Sequence, residues 1–455
     1  MESIHVNYSI IMVEFMYEFF LEVNMEKREL AQRLIDFLHD APTAFNAVKV
    51  MREDLIGKGY QELVPSEKWT LKEGDKVFYV KNESSLFVVT IGKDALDSGF
   101  RIVGAHTDSP GFRIKPESEM VSDGYLKLNT ETYGGPLLAT WFDRPLSLAG
   151  RVVMKGESLL TPKNVTIDFR KPLLIIPSLA IHMNRKANEG VEIDKQKHVL
   201  PVLTLVDKDF KKEGFVKGLV AKELDVEAED ILDFDLFLYE VEKGIIMGLD
   251  EEFISSKRQD NLSSVFAALE GIEAGKDFSG INVAAFFDNE ESGSTSKQGA
   301  GSTLLRNLLE RVAYALGGDR EGFLRSLENS FIISADLAHS VHPNWAEMHD
   351  PTNRPAMNKG PVVKISANQK YTTDADSTAV FTALCRQEEV PCQFFVNRSD
   401  LQGGSTIGPI TSSHLPIRSI DIGTPLLGMH SVRELGGVLD NYYLVKVLKA
   451  FYSLG

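Results

Sequence analysis

Side chains that can bind a metal ion or move a proton follow several predicted buried strands in this sequence. His106 and Asp108 come after the apolar run RIVGA, and Asp336 follows the run FIISA. The full set at such positions, or at the start of a predicted helix, comprises His106, Asp108, Asp260, Asp288, Glu290, Glu291, Asp336 and His430. Because open α/β sheets bind ligands at the carboxyl ends of their strands, we expect these side chains to converge on one rim.

The residue types in this set indicate metal chemistry. His and carboxylate ligands without Cys suit Zn²⁺, Mn²⁺ or Co²⁺. Two ions about 3.5–4 Å apart need a bridging carboxylate and further ligands on each side. In the pair Glu290–Glu291, one carboxylate can bind metal while the other acts as a general base that takes a proton from water and passes it to a leaving amine. In the triplet His106-Thr107-Asp108, the Asp can orient the imidazole.

Each of these residues also has a structural interpretation when considered alone. A single His after a strand is commonly a hydrogen-bonded structural residue. Asp260 precedes the predicted helix NLSSVFAALEG, where its carboxylate can accept orphan backbone N–H groups as an N-cap. Glu290 and Glu291 can form a solvated turn. Their shared position on one predicted rim favours a joint metal site over these separate explanations.

The elements that must position these residues alternate between strand and helix at both ends of the chain. The predicted strands are residues 76–80, 86–92 and 101–106, and later the runs INVAAFF, FIISAD, PVVKIS, CQFFVN and IRSIDIG. Such alternation predicts an α/β fold, with a mostly parallel central sheet flanked by helices on both faces.

The middle of the chain has a different texture. Between residues 111 and 248, short β-like runs such as VTIDF and LLIIPSLAIHM lie among Pro, Gly and charged residues. We therefore expect an α/β domain, residues 25–110 and 249–455, interrupted by a β-rich insert at 111–248. Residues 1–24 are predicted to be an extension, and they make a poor signal peptide because no Lys or Arg precedes Lys27. A propeptide or a partner-docking helix is the alternative for this segment.

Composition excludes several classes of protein. The 49 Lys+Arg against 65 Asp+Glu give a net charge of −16, which argues against nucleic-acid or anionic-membrane partners. Two cysteines cannot build a disulfide framework, which fits a reducing cytoplasm. The longest uncharged run, residues 401–417, is too rich in Gly, Ser, Thr and Pro for a membrane span of about 20 apolar residues. We expect a cytoplasmic protein.

Six motifs of the chain, in order, resemble those of the aspartyl aminopeptidases, metallopeptidase family eighteen. The motifs are GAHTDSPGFRIKP, SSKRQDNLSSVFAALEG, FFDNEESGSTSKQGAGS, SADLAHSVHP, KGPVVKISANQKY and GMHSVRE. The resemblance extends from about residue 25 to residue 454. It implies a zinc-peptidase-like α/β fold and an insert that mediates dimerisation.

The resemblance implies a set of metal ligands. Asp260 is implied to bridge two divalent ions, zinc in the first place, with manganese or cobalt as alternatives. One ion would be completed by His106 and Asp336, the other by Glu291 and His430, although the division between the ions stays open.

Other roles are also implied by the resemblance. Glu290 would be the general base and Asp108 the residue that orients a ligand. His182, within the insert, would reach the active site of a neighbouring subunit and stabilise an oxyanion there, since a donor placed at developing negative charge is effective. A buried structural His is the alternative for His182. The resemblance further implies a homo-oligomer built from dimers, with a dodecamer as the expected size.

The substrates implied by the resemblance are peptides with an unblocked N-terminal Asp or Glu. Such a side chain must be met by a cation or strong donors. Lys364 and Tyr371 match the positions that the family uses, and His339 is expected to line the same pocket. Lys364 can instead point to solvent from its strand.

Two other functions remain open at this level: a related metalloaminopeptidase of broad or leucine preference, and a non-catalytic assembly protein that keeps the fold. A serine hydrolase is not supported, because no G-x-S-x-G elbow is present.

Overall fold

A computed structural model describes residues 25–455 of the chain. The predicted extension, residues 1–24, lies outside the described residues. Within the described part, no helix has the length and apolar character needed to cross a membrane.

The described residues form helices and strands whose bounds follow the sequence patterns closely. The helices are α1 (25–40), α2 (Ala44–Gly57), α3 (Ala95–Ser98), α4 (Phe215–Leu224), α5 (Gln259–Ala274), α6 (Leu304–Ala315), α7 (Arg320–Glu328), α8 (Ala375–Gln387), α9 (Ile407–His414) and α10 (Val438–Tyr452). The strands are β1 (Gln61–Glu62), β2 (Lys76–Lys81), β3 (Ser85–Ile91), β4 (Phe100–His106), β5 (Gly111–Ser122), β6 (Tyr125–Tyr133), β7 (Leu146–Ser158), β8 (Thr161–Asp168), β9 (Val202–Leu205), β10 (Ile231–Glu240), β11 (Ile245–Met247), β12 (Phe253–Ser256), β13 (Ile281–Phe287), β14 (Phe331–Ala335), β15 (Ala338–His339), β16 (Val362–Ile365), β17 (Gln393–Val396), β18 (Arg418–Gly423), β19 (Pro425–Leu427) and β20 (Glu434–Gly437).

The central sheet has nine strands in the order β1-β2-β3-β13-β4-β14-β18-β16-β17. Its middle strands, β13, β4, β14 and β18, run parallel to one another, while β2, β3 and β16 add antiparallel pairings towards the edges. The predicted α/β class with a mostly parallel centre is therefore confirmed.

Helices cover both faces of this sheet because its central strands are apolar on both sides. In β13, Val283 and Phe287 belong to a core built with α6 and α7, whereas Ala284 and Phe286 belong to a core built with α1, α5 and α10. The side-chain period of two thus divides one apolar run between two cores. Burial on both faces explains why these strands were recognisable in the sequence.

A separate six-stranded antiparallel sheet lies within residues 111–240, in the order β8-β7-β10-β5-β6-β9. It has its own core, which includes Phe112, Leu148 and Leu236. The run LLIIPSLAIHM was expected to be β-like, but it is irregular apart from isolated bridges at Leu174 and Ile175. Pro177 interrupts the run, and the residues after it are exposed.

A third sheet joins five short strands in the order β11-β12-β20-β19-β15. It escaped the sequence analysis because strands of two to four residues carry no readable period. This sheet carries the turn with His430 and brings it beside the start of α5, since β20 pairs with β12 directly before that helix.

Candidate metal centre

Five of the predicted residues meet at the carboxyl ends of the central strands. His106 is the last residue of β4, Asp336 follows β14, and Glu291 lies in a 3₁₀ turn after β13. Asp260 is the second residue of α5, and His430 lies between β19 and β20. The rim predicted from the strand ends is therefore where the structure brings them together.

The Asp260 carboxylate lies between two histidines. Its Oδ1 is 3.5 Å from Nε2 of His106, and its Oδ2 is 3.5 Å from Nε2 of His430. Each His has a further carboxylate: Asp336 Oδ1 lies 3.6 Å from His106 Nε2, and Glu291 Oε1 lies 3.3 Å from His430 Nε2. Two ligand groups that share Asp260 result, and in each group the ligand atoms lie within 4.8 Å of one another.

The residues present fit divalent cations. Asp260 is buried, and its Oδ1 has no hydrogen-bond partner within the described chain. An orphan carboxylate oxygen is costly inside a protein unless a cation or donor compensates it. The alternative role as a helix N-cap does not describe Asp260, because its two oxygens face the histidines and α5 has no side-chain cap hydrogen bond. The peptide bond between Asp260 and Asn261 is cis.

Both histidines are strong bases in this setting. Burial opposes charge on His430, but its contacts with Asp260 and Glu291 outweigh burial and raise its pKa to about 11. Burial likewise opposes charge on His106, yet the carboxylates of Asp108, Asp260 and Asp336 raise its pKa well above the ordinary value. An excess of negative charge thus surrounds both imidazoles, as a cation site requires.

Glu290 lies beside the same cluster, with Oε2 4.0 Å from Nε2 of His106. Burial raises its pKa to about 8, with a further contribution from the carboxylates of Asp336, Glu291 and Asp108. Cations bound among these carboxylates would lower that pKa, because their charge favours the ionised form. His106, Glu290 and Glu291 also form a third possible ligand group, so distance alone does not separate base from ligand.

Asp108 anchors the turn that carries both glutamates. Its Oδ1 accepts a hydrogen bond from the backbone N–H of Glu290 (3.2 Å), and its Oδ2 accepts one from that of Glu291 (3.1 Å). The same carboxylate lies 3.4 Å from Nδ1 of His106. By contrast Asp288, expected on the same rim, belongs to none of the ligand groups in the described chain and accepts a hydrogen bond from the N–H of Asn289.

The end of β6, in the six-stranded sheet, reaches the cluster, a feature that the sequence analysis missed. The Tyr133 hydroxyl donates to Asp108 Oδ2 at 2.6 Å. Nδ1 of His430 lies 3.0 Å from the carbonyl oxygen of Gly135. Gly134 has φ +65°, and a Cβ there would lie 3.1 Å from Cβ of Glu291, so this close approach requires glycine. The pair Gly134–Gly135 after a strand was the available signal.

A cavity of about 460 Å³ opens beside the cluster, and its wall includes Lys364, Tyr371 and His339. Lys364 is buried, with Nζ 3.5 Å from Asp336 Oδ2 and 5.6 Å from the centre of the Tyr371 ring. Burial opposes the charge of Lys364, but Asp336, Tyr371 and Asp421 raise its pKa above the ordinary value. The His339 ring packs edge-on against Phe395. The structure thus places all three predicted pocket residues next to the predicted metal ligands.

Asp421 supports the wall of this cavity and was not identified from the sequence. Its buried carboxylate accepts hydrogen bonds from the backbone N–H and hydroxyl of Thr372 (2.6 and 2.8 Å) and from the hydroxyl of Thr406 (2.5 Å). Thr406 and Tyr371, the neighbour of Thr372, both line the cavity. Asp421 therefore ties two wall segments to β18.

His182 lies apart from the cluster. It occupies an exposed turn, and the described wall of the cavity does not include it. The turn also exposes Leu179, Ile181 and Met183 (59%, 43% and 71%). Within a single chain, the structure does not bring His182 to the other predicted site residues.

Comparison with known proteins identifies the family. The family described as aminopeptidase I zinc metalloprotease (M18) matches residues 37–452. The chain belongs to the M18 family. It is 54% identical over 430 residues to a probable M18 family aminopeptidase 2 of Clostridium novyi, covering 94% of this chain and 99% of the relative. This M18 chain is thus a metalloaminopeptidase of the zinc metalloprotease class, and the resemblance noted in the sequence is confirmed.

Solved structures agree with the M18 assignment. A chain in a cryo-EM structure of the Ape4 and Nbr1 complex superposes with a TM-score of 0.90 and 35% identity, covering 94% of this chain and 86% of that one. The structure of an S. cerevisiae mApe1 dodecamer superposes with a TM-score of 0.81 and 28% identity, covering 93% and 96%. The M18 fold therefore accounts for nearly the whole described chain.

Proposed function

We propose that this M18 chain is a dinuclear aminopeptidase that removes an unblocked N-terminal Asp or Glu from peptides. The observation that carries the dinuclear part is the position of Asp260, whose two oxygens each lie 3.5 Å from a different His. His106 and Asp336 would complete one ion, and Glu291 and His430 the other. Zinc follows from the family description, and manganese or cobalt can use the same ligands.

Glu290 is the general base in this proposal. When bound, two such ions supply Lewis-acid chemistry that polarises the carbonyl of the scissile bond and stabilises the charge developing on its oxygen. Glu290 lines the cavity beside both ligand groups, where it can take a proton from the attacking water and pass it to the leaving amine. Asp108 holds the Glu290 backbone in place and orients His106.

Lys364 supplies the proposed acidic preference. It is a buried cation in the cavity wall beside the metal ligands, where it can pair with a substrate carboxylate in a partly desolvated setting. Tyr371 and His339 are placed to complete that pocket.

A second substrate class is favoured by a specific contact. Lys364 already lies 3.5 Å from Asp336, so its charge can serve to hold that proposed metal ligand in place. Apolar surface in the same cavity comes from Phe395, Ile410 and Met429. An aminopeptidase of broad or leucine preference would use that surface instead.

The proposal includes assembly into a homo-oligomer built from dimers. The S. cerevisiae relative is a dodecamer, and the same number is proposed for this chain. We place the dimer contact on the insert, residues 111–248, because the exposed turn with Leu179, Ile181 and Met183 offers apolar surface there. His182 on this turn would then enter the cavity of the neighbouring subunit and donate to the oxyanion of the transition state.

The test is hydrolysis of Asp-, Glu- and Leu-p-nitroanilide by the purified protein, before and after chelation and after return of zinc or manganese. Cleavage of the Asp and Glu substrates that is lost on chelation and restored by metal supports the full proposal. Preference for the Leu substrate would overturn the specificity and keep the metal mechanism. Absence of all cleavage, with metal bound and the oligomer intact, would favour the non-catalytic assembly protein.

A further inference from the structure

Glu434 is a buried carboxylate next to the metal centre that the catalytic proposal does not use. It is the first residue of β20, four residues after His430, and it is 3% exposed. The neighbouring Arg433 is engaged with Glu240 at 3.1 Å. Among residues 25–455, Glu434 forms no ion pair with Lys or Arg. Burial and the charge of Asp260 raise its pKa to about 8, although contacts with two backbone N–H groups oppose that shift.

Those contacts are the backbones of two predicted metal ligands. Glu434 Oε2 accepts a hydrogen bond from the backbone N–H of Asp260 at 3.0 Å, and Oε1 accepts one from that of His430 at 2.9 Å. The first donor belongs to the non-helical start of α5, where the N–H group of Asp260 has no partner within the helix. The second belongs to the turn between β19 and β20.

The two ligands come from distant parts of the sequence, and the side chain of Glu434 bridges their backbones. Asp260 and His430 must hold the spacing of their backbones for their side chains to share one ion. Both partners of Glu434 are donors, so an ionised carboxylate suits both, whereas an amide would turn an N–H group towards one of them.

We propose that Glu434 is a positioning residue of the metal centre, which sets the separation of Asp260 and His430 and thereby the affinity for the ion held with Glu291. The inference rests on the proposed metal ligands. Residues that orient metal ligands typically change metal affinity by about 10- to 100-fold when they are replaced.

The test compares Glu434→Gln with a matched control, Asp440→Asn. Asp440 is also a buried carboxylate that accepts two backbone N–H groups, from Asn358 and Gly360, but it belongs to neither ligand group of the described chain. Zinc content and zinc affinity, by chelator competition, are measured for both variants and the unaltered protein. We expect Glu434→Gln to lower the affinity for one of the two ions by about 10- to 100-fold and the affinity for the other ion by less. We expect Asp440→Asn to lower neither affinity.

Equal affinities in Glu434→Gln and the unaltered protein would overturn the inference, and so would an equal loss in the control. If Glu434→Gln folds only with zinc present, the rate of zinc release to a chelator replaces the titration, and release no faster than in the control would count against Glu434. Two other results would show instead that the proposed metal centre is wrong. The unaltered protein would bind fewer than two ions, or His430→Ala would keep both ions.

Discussion

The hydroxyl of Tyr133 lies 2.6 Å from Oδ2 of Asp108 and joins the six-stranded sheet to the turn that carries Glu290 and Glu291. The same hydroxyl accepts a hydrogen bond from the side chain of Asn289. A residue of the six-stranded sheet therefore stabilises the Asp108 carboxylate, and through it the backbone of the proposed base.

Tyr133→Phe should lower kcat/KM by about 10- to 100-fold with little change in the overall fold, because Asp108 loses a donor while the ring packing is kept. Tyr125→Phe is the matched control, since Tyr125 lies on the same strand and is 46% exposed. Steady-state kinetics on the preferred p-nitroanilide give the comparison. Unchanged activity in Tyr133→Phe would show that the two backbone amides alone hold Asp108.

Replacement of Glu290 and replacement of Glu291 should have different effects on metal content and on kcat. Glu290→Gln should keep both ions and lose about 10²- to 10⁴-fold in kcat, the usual contribution of a general base. Glu291→Gln should lose an ion, because Glu291 lies 3.3 Å from His430 within its ligand group. Elemental analysis and kcat are measured on both variants. The reverse pattern would exchange the two roles.

Replacing Asp260 should weaken the binding of both ions, whereas replacing His430 should weaken the binding of one. Asp260→Asn replaces an oxygen that faces one histidine by a nitrogen donor, so we expect weaker binding of both ions; His430→Ala should release only the ion shared with Glu291. The zinc content per chain after gel filtration distinguishes them. Two ions retained in Asp260→Asn would exclude the bridging role.

Lys364 should discriminate between substrates. Lys364→Ala should reduce kcat/KM for the Asp substrate far more than for the Leu substrate, since the lost cation faces the proposed side-chain pocket. Lys370→Ala is the control, because Lys370 is exposed close by in the sequence. Equal losses on both substrates would assign Lys364 to the support of Asp336, from which it lies 3.5 Å.

Zinc binding should release protons. The pKa of His430 is raised to about 11 and that of His106 well above its ordinary value, so both imidazoles are protonated at pH 7.5 without metal. Because metals bind the neutral imidazole, loading must displace these protons, and affinity must fall as the pH is lowered. Calorimetric titrations in two buffers of different ionisation enthalpy measure the release. Heats that do not depend on the buffer would contradict the raised pKa values.

The sequence was sufficient for the parts of the fold and site that depend on local pattern. Runs such as INVAAFF are apolar on both faces, and the structure confirms the buried strand that they predict. The five candidate ligands follow strand ends or open a helix, so the general rule for α/β sheets located them. Their chemical roles stay predictions until the variants above are measured.

The remaining features depend on contacts that no local pattern encodes. Glu434 stood in a recognised motif, but its importance lies in backbone N–H groups of Asp260 and His430, and the first is 174 residues away. Tyr133 and Gly135 act through the approach of a second sheet. The run LLIIPSLAIHM is apolar without being a strand, because part of it faces outward within one chain.

The candidate ligands are spread widely along the chain, and this has a consequence for biosynthesis. More than 300 residues separate His106 from His430, so a ribosome that adds about 5–20 residues per second needs roughly a quarter of a minute to a minute to travel between them. Throughout that interval the ligand group of Asp260, Glu291 and His430 lacks its histidine. That group can therefore close around an ion only when nearly the whole chain has been made.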